Sequence, residues 1–202
     1  MSSHPNPTAS SPFPPGVHIT PAPLPPDPAT SSYRLNHLML RVRDPEKSIK
    51  FYTECLGLHT IFIFNTGAWT IYYLGPRDVQ LSSLGAPSSK GLLELYHVPK
   101  DVQEGKEYRS GNEEGGMGFG HLGFVVPDVK AAVERCRERG YEILKDVGEA
   151  RVGQMGVNGG IGEEEVVEGY KFVFRQLAFV RDPDGYWVEL VPEVVDAPPK
   201  GE

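Results

Sequence analysis

Two cysteines in 202 residues are too few to staple a chain of this size. Cys55 and Cys136 both fall in stretches that read as helix, and no Cys-X-X-Cys spacing exists. One disulfide stays open on this count, but two buried reduced thiols of an intracellular protein are the expectation. Long apolar runs are missing too. Nothing approaches the roughly 20 consecutive residues that a membrane span needs, so no membrane partner is expected. Positive charge is in deficit: 20 Lys and Arg against 27 Asp and Glu leave a net charge of −7. That balance argues against nucleic acid and anionic lipid as partners, while leaving room for a local basic pocket. The N-terminus lacks the basic start and apolar core of a signal peptide and the arginines of a presequence. A cytoplasmic location is therefore expected.

Residues 1–32 lack charge almost entirely, with Asp27 the one charged side chain and ten of the 19 prolines crowded among them. Such a stretch cannot build a helix or a central strand and favours extended, solvated conformers, which predicts a disordered arm or one that drapes over a partner subunit. Order is expected from Tyr33. The segment RLNHLMLRV alternates, with His37, Met39 and Arg41 on one face and Leu38, Leu40 and Val42 on the other. Asp44–Pro45 then supplies an N-cap and a proline at the first helical position, and Gly57 ends the helix. Strands are predicted at about 58–65, 68–74 and 91–97.

The same order returns further on. GHLGFVVPD reads as a strand, Asp128 caps a helix running to Arg139, and strands follow near 141–145, 174–181 and 186–192. A shift of 84 positions (121 − 37) lays His121 on His37, Leu122 on Leu38, Val126 on Val42 and Asp128 on Asp44. The chain is a two-copy duplication and not a solenoid. The expected class is α+β: a first βαβββ module at 33–98, a linker at 99–116, a second module at 117–193 and a tail at 194–202. The Gly- and Glu-rich stretch 146–172 of the second copy has no Gly-Lys-Ser/Thr context and reads as an inserted mobile loop.

Each copy opens with a strand histidine and closes with a strand glutamate. Glu94 lies between Leu93 and Leu95, and Glu189 between Val188 and Leu190. A carboxylate inside an apolar strand is costly unless paired, protonated or bound to a cation. A lone strand histidine is usually structural, and a lone sheet glutamate usually faces solvent. Here His37, Glu94, His121 and Glu189 recur at matched places, and a shared divalent metal accounts for all four together. His59 and His97 lack that placement.

At these residues a resemblance becomes explicit. NHLMLRVRDPEKSIKFYTECLGL, GLLELYH, YRSGN, GFGHLGFVVPDV and LAFVRDPDGYWVELV resemble, in order, the signature segments of glyoxalase I (lactoylglutathione lyase) in the vicinal oxygen chelate superfamily. The likeness runs from about Tyr33 to Pro192. It implies curled mixed sheets of paired βαβββ modules around a metal. It also implies a homodimer whose sites take His37 and Glu94 from one chain and His121 and Glu189 from the other. Zn²⁺ is the leading expectation for the metal, with Ni²⁺ accommodated by the same ligands. The implied reaction converts the hemithioacetal of glutathione and methylglyoxal to S-lactoylglutathione. Glu189 is then the principal base, with Glu94 as ligand and partner base. Arg41, Asn112 and Lys145 fall where the family contacts glutathione.

Three positions depart from the pattern: Met117 and Val173 where basic residues are common, and Val98 where an asparagine is. They open a second reading, a divergent glyoxalase-like enzyme acting on another thiol adduct or a secondary metabolite. A metal-free ligand-binding module of the bleomycin-resistance kind is a third reading, although it has no use for four matched ligands. A superfamily dioxygenase would need two histidines and one carboxylate on iron, and the filled fourth position argues against it.

Overall fold

The computed structural model describes residues 13–18, 25, 27–79, 91–112, 118–151 and 162–198. The first module runs β1 (His37–Arg41), α1 (Pro45–Glu54), β2 (His59–Asn65), β3 (Thr70–Gly75) and β4 (Leu92–His97). A short helix α2 (Pro99–Gln103) lies in the linker. The second module runs β5 (His121–Val126), α3 (Val129–Glu138), β6 (Ile143–Lys145), α4 (Glu168–Phe174), β7 (Ala178–Arg181) and β8 (Trp187–Pro192). Among the described residues no helix is long and apolar enough to cross a membrane.

Local chemistry explains the helix limits. The Asp44 side chain accepts from the Lys47 amide at 3.2 Å and Pro45 opens α1. Asp128 accepts from the Ala131 amide at 3.0 Å at the start of α3. Gly57 and Gly140, with φ of 74° and 79°, turn the chain out of each helix where a Cβ would be strained.

The strands form two four-stranded mixed sheets in the orders β1-β4-β3-β2 and β5-β8-β7-β6. Each module pairs its first and last strands in parallel and the rest antiparallel. Even the irregularities repeat: the β2–β3 register shifts between Thr60 and Phe62, and the β6–β7 register between Ile143 and Lys145. Neither sheet closes on itself.

One core runs through both modules. Leu40, Phe51, Tyr52 and Cys55 share a buried cluster with Val133, Cys136, Val180 and Val188. Phe51 meets Tyr141 edge to face at 4.7 Å, and both cysteines are buried and free. Above this core the turn Asp182–Gly185 acts as a polar latch between the modules. Asp184 accepts from the Ser48 hydroxyl and the Arg43 amide, both at 2.7 Å. Asp182 accepts from the Tyr52 hydroxyl at 2.7 Å and from the amides of Asp184 and Tyr186 at 2.9 and 2.8 Å.

Two elements differ from the sequence reading. The stretch expected as strand from 174 begins as α4, and β7 starts only at Ala178. Part of the inserted loop is ordered, with a 3₁₀ turn at Glu163–Glu165 before α4. The cause is tertiary: Phe174 and Leu177 bury themselves against Phe179 and Trp187. The rest of the loop (152–161), most of the arm and Met117 lie outside the described residues.

Candidate metal centre

Because both sheets turn one face to the shared core, their other faces are free to carry chemistry. On β1 the burial alternates as expected: Leu38 and Leu40 point inward while His37, Met39 and Arg41 are exposed. Cα register then brings Met39, Glu94, Tyr73 and Phe62 into one row across the first sheet. The second sheet carries the corresponding row Gly123, Glu189, Phe179 and Lys145.

His37 Nε2 lies 3.4 Å from Glu94 Oε2, and His121 Nε2 lies 3.3 Å from Glu189 Oε2. Each imidazole also stands edge-on to the aromatic of its row, His37 to Tyr73 and His121 to Phe179, both with centroids 5.4 Å apart. The histidines are open to solvent at 37% and 42% side-chain exposure, whereas the glutamates keep 9% and 19%. His37 Nδ1 is 2.8 Å from Asn36 Oδ1. In the tautomer that donates Nδ1–H to Asn36, the Nε2 lone pair faces the Glu94 carboxylate, an acceptor against an acceptor. A proton or a cation between them resolves that conflict, and an imidazole held from behind by an amide oxygen is a common support for metal ligands.

The structure therefore brings the four candidate ligands together two by two. The pairs stand on different sheets, and no group of three or more His, Cys, Asp or Glu able to hold a metal occurs among the described residues. Each pair offers one imidazole and one carboxylate, which suits half of a His₂Glu₂ set for a divalent cation.

The residues expected near glutathione divide. Arg41 sits on the ligand face of β1 and lines a cleft of about 310 Å³ with Tyr108, Tyr186 and the ion pairs Lys106–Asp101 and Arg109–Glu107. The Asn112 side chain donates to the Gly120 carbonyl, one residue before His121. That close approach needs Gly111, where a Cβ would lie 2.6 Å from the Phe119 carbonyl oxygen. Lys145 departs from the expectation. It is 1% exposed, and its ammonium donates to the carbonyls of Phe174, at 2.6 Å, and Leu177. Burial brings the Lys145 ammonium down to about 8. It keeps its place in the row of Glu189 and Phe179, and the end of α4 closes over it there. Val98 opens α2 without a side-chain cap, and Val173 lies half-buried on α4.

Sequence reasoning missed several neighbours. Tyr73 faces Glu94 across β3–β4, and burial together with that carboxylate pushes its phenol well above the usual range. Trp187 shares a register position with His121, is buried, and leaves its indole N–H without a partner among the described residues. Asn36 was in plain view beside His37, where an amide next to a ligand is the available signal.

Open sheet faces, a duplicated βαβββ unit and a His/Glu pair in each copy define a class. Residues 34–190 match the family described as the Glyoxalase/Bleomycin resistance protein/Dioxygenase superfamily, and the chain belongs to it. Within that superfamily it is similar to lactoylglutathione lyases. The enzyme of Pseudomonas aeruginosa is 31% identical over 175 residues, which cover 82% of this chain and 86% of that one. The lactoylglutathione lyase of Schizosaccharomyces pombe is 32% identical over 168 residues, 81% of this chain and 48% of the relative, so the chain spans about half that length. Among solved structures, the trypanothione-dependent glyoxalase I of Leishmania major gives a TM-score of 0.52 at 28% identity, covering 80% of this chain and 87% of that one.

Proposed function

We propose that the chain isomerises the hemithioacetal of glutathione and methylglyoxal to S-lactoylglutathione. The observation that carries the reading is the pair of matched His/Glu clusters, one on the open face of each sheet. Neither is a complete site by itself, so the proposed enzyme is a cytoplasmic homodimer. His37 and Glu94 of one chain meet His121 and Glu189 of the other around a divalent cation, Zn²⁺ first and Ni²⁺ second. When bound, the cation polarises the two substrate oxygens and acidifies the intervening C–H.

The chain's own groups do the rest. Glu189 takes the proton from the sulfur-bearing carbon; the electron pair of that bond forms the carbon–carbon double bond of an enediolate while the π pair of the neighbouring carbonyl moves to its oxygen. The proton returns to that neighbouring carbon, the hydroxyl proton of the hemithioacetal passes to its oxygen, and the sulfur-bearing carbon becomes the thioester carbonyl; no oxidant is consumed. The carboxylates of Glu94 and Glu189 are mostly buried, and a Cβ on Gly123 would stand in contact with Glu189 Oε2 at 3.7 Å. Arg41 and Asn112 are proposed to hold glutathione. Val98, Val173 and the interior position of Lys145 thin the set of groups available for its carboxylates, which favours as second reading an enzyme for a different thiol adduct.

Ultraviolet absorbance of the thioester formed from methylglyoxal and glutathione, with metal content measured in the same sample, tests the proposal. Turnover with about one divalent ion per chain supports it. A fully metallated dimer that turns over only with another thiol transfers the assignment to the second reading.

A further inference from the structure

Lys145 ends the row Gly123–Glu189–Phe179–Lys145, at the position that Phe62 takes in the first sheet. Two strand spacings separate it from Glu189, about 10 Å. An ammonium has three donors. Here two are taken by the Phe174 and Leu177 carbonyls, and the ammonium also stands 4.6 Å from the centre of the Phe174 ring. Those carbonyls belong to the last residue of α4 and to the third residue beyond it, and the Phe174 carbonyl also accepts from the Leu177 amide at 3.2 Å. The Gly148 amide donates to the Arg175 carbonyl at 2.7 Å and ties the same end down.

What Lys145 holds reaches the candidate site through three ring contacts, one stacked, one tilted and one edge-on. Tyr170 lies on Phe174 at 5.8 Å, Phe174 on Phe179 at 5.8 Å, and Phe179 meets the His121 imidazole at 5.4 Å. Tyr170 remains half exposed, and burial together with the Glu189 charge raises its phenol. The first module has no helix at the equivalent place between β2 and β3.

We propose that Lys145 is a positioning residue: it clamps the inserted helix α4 over the ligand-bearing face of the second sheet, making Tyr170 a wall of the Glu189 half-site, and it does not contact glutathione. The inference rests on the proposed activity only for what the wall encloses; the clamp stands on the contacts above.

Hydrogen exchange and glutathione-analogue binding on the full-length, metal-loaded protein test it, with Lys145→Met, Lys145→Gln and Tyr170→Ala. Lys145→Met removes every donor and should speed exchange of the amides at 174–177 by roughly tenfold or more. Lys145→Gln keeps a neutral donor and should hold most of that protection. Its affinity for an S-alkyl glutathione in calorimetry should stay within about twofold of the parent. In a double-mutant cycle on kcat/KM, Lys145→Met should add little to Tyr170→Ala, because both act through the same wall. Unchanged exchange in Lys145→Met overturns the clamp. Retained protection with roughly tenfold weaker binding in Lys145→Gln returns the lysine to glutathione. If the parent forms no thioester, the proposed activity fails, while the exchange measurements still decide the clamp.

Discussion

Replacing Asp182 with asparagine should change stability in a way that depends on pH, with a sign fixed by the structure. Asp182 is 4% exposed and sits between the modules. Burial raises its carboxyl from 3.8 to about 6, against the opposing pull of the Tyr52 hydroxyl and the Tyr186 and Asp184 amides. A rise of that size corresponds to about 3 kcal/mol less favourable ionisation in the folded chain. The folded carboxyl binds its proton more tightly than the unfolded one. The stability it contributes is therefore full below about pH 4 and is lost as pH rises through about 6. The substituted carboxamide does not titrate, and its oxygen can still accept from the Asp184 and Tyr186 amides. Chemical denaturation of parent and Asp182→Asn at pH 8, 7, 6 and 5 should show the parent gaining on the variant as pH falls, by about 1.4 kcal/mol at pH 5, with the full effect reached only below about pH 4. At pH 8 the two should lie close, because the cost of the buried charge offsets its stronger hydrogen bonds. A difference that stays flat across this range, or that grows toward high pH, would show that burial does not hold the Asp182 proton.

Three further outcomes follow from the site. Glu189→Gln should keep metal bound at least in part through His37, Glu94 and His121 while thioester formation falls by about 10² to 10⁴; near-normal turnover of the metallated variant would remove Glu189 as base. Asn36→Ala frees His37 Nδ1 and should weaken metal affinity by roughly 10- to 100-fold in equilibrium dialysis, with the fold unchanged. A chain starting at Ser31 should keep kcat and KM within a few-fold, a margin of order 1 kcal/mol, and a hundredfold loss would give the arm a part in the site.

The sequence disclosed most of what local rules control. Asp44–Pro45 and Asp128 mark the helix starts because capping is a short-range interaction. The period-2 alternation of RLNHLMLRV assigns His37, Met39 and Arg41 to one face, as the burial pattern of β1 shows. The 84-residue offset exposes the duplication because both copies keep strand, cap and helix in register. Long-range features stayed hidden. Nothing local announces that the end of α4 lies over β6, and a strand lysine in this family pattern reads as a ligand contact until the Phe174 and Leu177 carbonyls are seen to take its ammonium. Val173 and Phe174 look like strand residues by composition; burial of Phe174 on Phe179 and Trp187 makes their segment a helix. The latch of Asp182 and Asp184 on Tyr52, Ser48 and Arg43 joins residues 130 or more positions apart, beyond the reach of any periodicity.

If two half-sites from different chains make one catalytic centre, subunit complementation restores it. His37→Ala and His121→Ala chains, each inactive alone, are mixed under conditions where subunits exchange, and thioester formation is followed. Activity should recover to about one intact site per heterodimer, with bound metal rising in step. No recovery from exchanged, folded heterodimers would contradict a shared centre.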